Sequence, residues 1–207
     1  MTGKKRQNAE LRKPAILRAF YQLIDEEGFE NASVAKVAAR AGIHPSLVIH
    51  YFGTKEQMVM ALVDDVLRTY ARLFEALPEG GSARERLERL LAIVWSQEWY
   101  VSANYSAVFT FLAMSQRSEE VAGRVKRLFR RYREFLMTQL SAFAEAGVIR
   151  IDDPARSADM LISMTEGFHY FSQYHTPAED FESHRRAMIA LSLKMLGAEA
   201  TGRDGDE

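Results

Sequence analysis

Apolar residues recur at three- and four-residue intervals along almost the whole chain, and no stretch alternates with period two between turn signals. A chain patterned this way can bury one stripe of each helix but has nothing from which to build a half-buried sheet. The expected fold class is therefore all-α, with about nine helices. The first follows Pro14, carrying Ile16, Ala19, Phe20, Leu23 and Ile24 on one stripe, and Gly28 stops it. Ser33 caps a short second helix, Val34 to Arg40, closed by Ala41-Gly42. A third short helix opens on Pro45, whose missing N–H costs nothing in a first turn. After Gly53, Thr54 and Gln57 form a capping box for a long fourth helix that turns Val59, Leu62, Val66, Leu73 and Leu77 inward, until Pro78-Glu79-Gly80-Gly81 breaks it. Ser82 and Glu85 make a second capping box, for a helix expected to reach Tyr100. A short aromatic-rich helix over 104–116 precedes a long amphipathic one over 118–146, ended by Gly147. Asp153-Pro154 starts the next, and Thr176-Pro177-Ala178-Glu179 the last, which stops at Gly197. Residues 201–207 read as a disordered tail.

With 207 residues there is chain enough for one large domain or two small ones. No cysteine is present, which excludes thiol catalysis, disulfides and thiolate metal sites. The basic start of the chain has no apolar run behind it, and no segment approaches the roughly 20 apolar residues that span a bilayer. A cytoplasmic protein without membrane contact is expected.

Charge is divided unevenly. Residues 1–60 hold nine Lys/Arg against six Asp/Glu, and residues 61–207 hold 18 against 22. A small basic head on an acidic body suits a phosphate-bearing partner that touches the head alone. Within the head, SVAKVAARAGIHPSLVIHYF lays out two short helices about a glycine turn, backed by an amphipathic helix, which is the plan of a helix-turn-helix. Val37 and Ala38 face inward, Ala41 is small at the crossing, Gly42 permits a left-handed turn, and Ile43 and Val48 pin the second short helix.

The run Val37-Ala38-x-x-Ala41-Gly42-Ile43, followed by Tyr51-Phe52-x-x-Lys55-Glu56-x-Met58, resembles the tetracycline-repressor (TetR) family of one-component bacterial transcription regulators, over about Ile16 to Ala61. The resemblance implies a helix-turn-helix DNA-binding domain in residues 1–53 and a helical effector-binding and dimerisation domain in 54–200, with 54–77 as the linking helix. It implies that His44, Pro45, Ser46, Leu47 and His50 face bases and nearby backbone, that Tyr51 and Lys55 hold phosphates, and that Ser33 belongs to the same contact set. Lys55 stands in the first turn of the fourth helix, where a cation is unfavourable by a few tenths to about 1 kcal/mol unless an anion lies there. Three positions depart from the family: His44 stands where Ser is usual, Ser46 where Gly is frequent, and Ile49 where Tyr is common. Ile49 removes one expected hydrogen bond, so base reading leans on thymine methyls touched by Leu47 or Pro45. Lys4, Lys5, Arg6, Arg12 and Lys13 read either as a DNA-contacting arm or as a solvated tail.

The remainder carries two aromatic clusters, one around Trp95, Trp99, Tyr100, Tyr105, Phe109, Phe111 and Met114, the other around Met160, Met164, Phe168, Tyr170, Phe171 and Tyr174. Both a plain core and a ligand pocket fit them; in the pocket reading Trp95, Trp99, Tyr105, Phe109, Met164, Phe168 and Phe171 line it. Glu98 and Glu166 inside these stretches read either as salt-bridged glutamates or as partners for a cationic ligand held by aromatic faces. The helices over 154–174 and 177–196 are apolar on more than one side, so each must be covered twice, by the domain interior and by a partner chain. The resemblance implies that these two helices build a homodimer, which would present two reading heads to a near-palindromic double-stranded operator. A small-molecule effector, no cofactor and no metal are expected. Glu166-Gly-Phe-His169 has the spacing of helical di-iron ligands, but no second Glu-x-x-His exists, and no nucleophile elbow or phosphate loop frames a triad, so catalysis is not expected. The basic run Arg124, Lys126, Arg127, Arg130, Arg131, Arg133 reads as a solvated helix face or as a surface for an acidic partner.

Overall fold

The computed structural model describes residues 2–75, 80–97, 99, 105–175 and 177–198, and among them there are nine α-helices and no strand. They are α1 (Thr2–Glu27), α2 (Val34–Arg40), α3 (Pro45–Phe52), α4 (Lys55–Glu75), α5 (Ala83–Val94), α6 (Tyr105–Ser115), α7 (Glu119–Glu145), α8 (Pro154–His175) and α9 (Phe181–Met195), with one 3-10 turn, Ala178–Asp180, leading into α9. Leu77, Glu98, Tyr100 and the tail lie outside the described residues, as do the side chains of Lys4, Lys5, Arg6, Leu73 and Tyr105.

The helices fall into two compact units. The head unit comprises 1–68 and 104–127; the body unit comprises 69–103 and 128–207. In the head unit, α1 buries Ile16, Leu17, Ala19, Phe20, Leu23 and Ile24. Against this stripe stand Val37 and Ala38 of α2 and Val48 and Phe52 of α3, and the same unit buries Met58, Val59, Leu62 and Val63 of α4. α6 also packs on α1, and Phe111 is fully buried there. In the body unit the interior holds Leu87, Leu90, Leu91 and Val94 of α5, Leu128, Tyr132, Leu136, Leu140 and Phe143 of α7, and Ala158, Leu161 and Phe168 of α8.

The caps are the expected ones. Ser33 accepts from the Lys36 amide at 3.3 Å. Thr54 and Gln57 exchange bonds of 3.2 Å in both directions, as do Ser82 and Glu85 at 2.7 and 3.2 Å. Asp153 accepts from the amides of Ala155 and Arg156 at 2.9 and 3.1 Å.

Two ends differ from the sequence reading. α1 begins at residue 2 and runs through Pro14 rather than starting after it. Pro14 is exposed, so the carbonyl its missing N–H leaves without a helical donor lies on the solvated side. α5 stops at Val94 instead of reaching Tyr100, because the Ser96 hydroxyl accepts from the Trp99 amide at 2.9 Å and starts a separate turn.

Candidate nucleic-acid interface

The turn between α2 and α3 is built by backbone bonding alone. Gly42, at φ +63°, donates to Ala39 O at 3.2 Å, and Ile43 donates to Ala38 O at 3.0 Å. These two bonds close a Schellman motif, which ends α2 sharply and sends the chain back across it. The first turn of α3 is held by a cap that the sequence did not announce. His44 Nδ1 accepts from the Ser46 amide at 3.3 Å and lies 2.8 Å from Ser46 Oγ. An accepting Nδ1 is unprotonated, so the neutral ring carries its proton on Nε2, and the Ser46 hydroxyl donates inward. His44 therefore keeps an outward donor and Ser46 an outward acceptor, a complementary pair on one turn.

Along α3, Val48 and Phe52 are buried and Pro45, Leu47 and Tyr51 half-buried, while Ser46, Ile49 and His50 face outward. Ile49 is 54% exposed, the most exposed large apolar side chain described in the head unit. Sequence reasoning treated it only as a lost hydrogen bond; its exposure puts an apolar side chain on the outward face of α3. The His50 ring meets Tyr51 edge-on, with centroids 5.3 Å apart, which restrains both side chains next to the reading face.

Ser33 is exposed, and its oxygen is occupied as the cap of α2, leaving its hydroxyl proton to donate. Lys55 is placed differently from a free phosphate ligand. Its Nζ donates to Phe29 O at 2.5 Å and to Glu30 O at 3.3 Å, and it lies 4.1 Å from the Phe29 ring centroid. Two of its three donors thus hold the loop between α1 and α2, and one remains. Lys13 sits 5.9 Å over the Phe52 ring. Lys36 and Arg40 are paired with Glu27 and Glu26 of α1 at 2.5 and 2.6 Å, so these cations fasten α2 to α1.

Of the residues expected to line a ligand pocket, Trp95, Trp99, Met164, Phe168 and Phe171 belong to the body unit and Phe109 to the head unit. In the body unit, Trp95 is fully buried, donates from Nε1 to Ser192 Oγ at 3.1 Å and meets Phe168 edge-on at 5.3 Å. Trp99, also fully buried, packs against Tyr132 at 5.4 Å. Met164 is half-buried, whereas Phe171 is 57% exposed. Phe109 belongs to the head unit and is half-buried. Burial and then the charge of Glu166 keep the Tyr132 phenol protonated well above its ordinary range. His169, fully buried, donates from Nε2 to Val94 O at 3.0 Å, and burial pushes its pKa down to about 4. Among the described residues no group of three His, Asp or Glu side chains could hold a metal, and no helix is long and apolar enough to cross a membrane.

Comparison with known proteins gives matches along most of the chain. Residues 16–62 match the model of the bacterial regulatory proteins of the tetR family, and residues 83–195 match that of the C-terminal region of the BetI-type transcriptional repressors. The HTH-type transcriptional regulator BetI of Rhizobium meliloti (strain 1021) is 28% identical over 160 residues, which cover 77% of this chain and 76% of the relative. Among solved structures, a Saccharomonospora viridis chain in complex with choline has a TM-score of 0.77 at 18% identity, covering 91% of this chain and 98% of that one. FadR of Bacillus subtilis in complex with stearoyl-CoA has a TM-score of 0.71 at 20% identity, covering 90% and 98%. At these identities the structural likeness speaks to the fold.

Proposed function

The chain belongs to the tetR family of bacterial regulatory proteins, with a C-terminal region of the BetI repressor type, and is a ligand-responsive, DNA-binding transcriptional repressor; from this premise we propose how it reads DNA and what releases it. The observation that carries the reading role is the outward face of α3. Ser46, Ile49 and His50 stand on it, flanked by Pro45 and Leu47, and the helix is pinned from behind by Val48 and Phe52. In a major groove, His44 Nε2–H, Ser46 Oγ and His50 meet base edges or phosphates, and Ile49 and Leu47 meet thymine methyls. Ser33, Tyr51 and the remaining donor of Lys55 hold the flanking phosphates. The division of labour at 53/54 follows: 1–53 reads DNA, and 54–200 binds effector and partner.

The partner is a second copy of the chain. On α8, Met160, Phe171 and Tyr174 are 46%, 57% and 67% exposed, and Leu191 of α9 is 49% exposed. Exposed aromatic and aliphatic side chains on two successive helices of one unit are what a homodimer would cover. Two heads in a two-fold dimer read a near-palindromic operator.

The effector we propose is a small quaternary ammonium of the choline kind. Supporting this are the aromatic faces of Trp95, Trp99, Tyr132 and Phe168 gathered in the body unit, the half-buried Glu166 beside Tyr132, the BetI-type C-terminal match and the choline complex of a similarly folded chain. Aromatic faces and one carboxylate attract such a cation, and a neutral isostere gains neither term. The protein works in the cytoplasm, where its DNA is. Selecting bound fragments from a random duplex library, then titrating the selected operator with choline and with its neutral isostere 3,3-dimethyl-1-butanol, tests both parts. Choline alone should weaken operator binding. Failure to enrich any sequence would overturn the repressor's reading face, and equal release by both compounds would overturn the cationic effector.

A further inference from the structure

A cleft of about 630 Å³ opens in the head unit between the loop after α1 and the end of α6, lined by Phe29, Glu30, Thr110, Ala113, Met114, Gln116, Arg117 and Ser118. We infer that it is a second ligand site, taking a flat apolar molecule that carries one carboxylate or sulfonate. Its volume is that of a site for a drug-sized ligand. Part of its lining is apolar, with Phe29, Ala113 and Met114, and the Phe29 ring and Met114 thioether are polarizable. The other lining residues are polar, and Arg117, in the turn between α6 and α7, is the cation among them. Arg117 makes no ion pair with a described residue, so its guanidinium fork is available to an acid. Glu30 also lines the cleft, but the Lys55 ammonium stands beside it, donating to the Glu30 backbone carbonyl and lying against the Phe29 ring, so the charges at and next to the cleft, Arg117 and Lys55 against Glu30, sum to a positive site that favours an acid. Gln116 and Ser118 add hydrogen-bonding capacity beside Arg117. None of the residues lining the cleft belongs to the expected contact set for DNA or for the body-unit effector, so the site stands or falls separately from the proposed function.

The test uses the full-length protein carrying carbon-13 at its methionine methyl groups, with 1-anilinonaphthalene-8-sulfonate as the ligand. The Met114 resonance is assigned through Met114→Leu and reports this cleft alone, while Met164 reports the body unit. Met114 should shift saturably as the sulfonate is added. Arg117→Glu should weaken that response about tenfold or more, as loss of a charge-assisted contact does. Ala113 is exposed, so Ala113→Trp can fill the cleft without disturbing the core, and should abolish the Met114 response while the helical circular dichroism and its melt are kept. A Met114 signal unmoved by the sulfonate, or moved equally in wild type and Ala113→Trp, would overturn the site. A response unchanged by Arg117→Glu would overturn the assignment of an anion.

Discussion

Two side chains carry charge logic that only their surroundings reveal. His169 is held neutral because its burial penalises the imidazolium, and its Nε2–H goes to Val94 O. Its folded pKa, about 4, lies below its unfolded value of 6.5, so the unfolded chain binds the proton first. The sign follows: this contribution to stability is fully present above pH 6.5 and is lost as pH falls toward 4, amounting to about 3 kcal/mol over that window. Urea melts of His169→Gln, whose amide can still reach Val94 O, should therefore show a flatter decline between pH 6.5 and 4 than wild type. Parallel curves for the two proteins would refute the buried neutral ring. Lys55 is the second case. The motif pointed to phosphate, but a ring and two carbonyls about 25 residues earlier in the chain are long-range partners that no local pattern encodes. Lys55→Met should cost about 1–2 kcal/mol of stability through the lost cation-π and charged hydrogen bonds, and should lower the salt slope of DNA binding by about 1. Unchanged urea midpoints would show that the loop does not depend on this ammonium.

The helices themselves were readable wherever a cap is local. Ser33, Thr54 with Gln57, Ser82 with Glu85, and Asp153 all bond within three residues, so their chemistry is written in adjacent letters. The ends that escaped are those where two local preferences compete. Ser96 capped its own turn against the continuing apolar period of α5, and His44 capped α3 with a ring nitrogen that residue statistics do not favour. The placement of α6 on α1 carries no sequence signal at all, because it is a tertiary choice among several apolar stripes. The glycines offer a graded check on the turn chemistry. At Gly42 a Cβ would meet nothing within 4 Å, so Gly42→Ala pays only for φ +63°, about 1–2 kcal/mol. At Gly53, also at positive φ, a Cβ would collide with Gln57 Oε1, the acceptor that caps α4. Gly53→Ala should thus cost about 1 kcal/mol more than Gly42→Ala, through the disturbed cap. Urea midpoints order the two, and equal midpoints would mean that Gln57 moves aside without losing its bond.

For the whole molecule, the proposed dimer makes the reading of DNA depend on two heads being held together. A single α3 offers three outward side chains and two flanking ones, too few contacts to single out one site in a genome, whereas joining two such heads multiplies affinity by roughly 10²–10⁴ through effective concentration. The surface proposed to join them includes Phe171, on α8 between Met160 and Tyr174 in the sequence. The sequence also placed Phe171 in a ligand pocket; more than half of its side chain is exposed in the single chain, which suits it to the proposed surface. Phe171→Glu adds a charge that solvent stabilises in the single chain and that a dry interface cannot. The substitution should leave the fold and its melting curve nearly unchanged in dilute solution, convert the sedimenting species from dimer to monomer, and weaken operator binding about 100-fold or more while sparing weak binding to random DNA. Sedimentation separates the possibilities cleanly. A variant that remains dimeric would move the interface away from α8, and a monomer that still binds the full operator at wild-type affinity would mean that one head suffices, which the small outward face of α3 argues against.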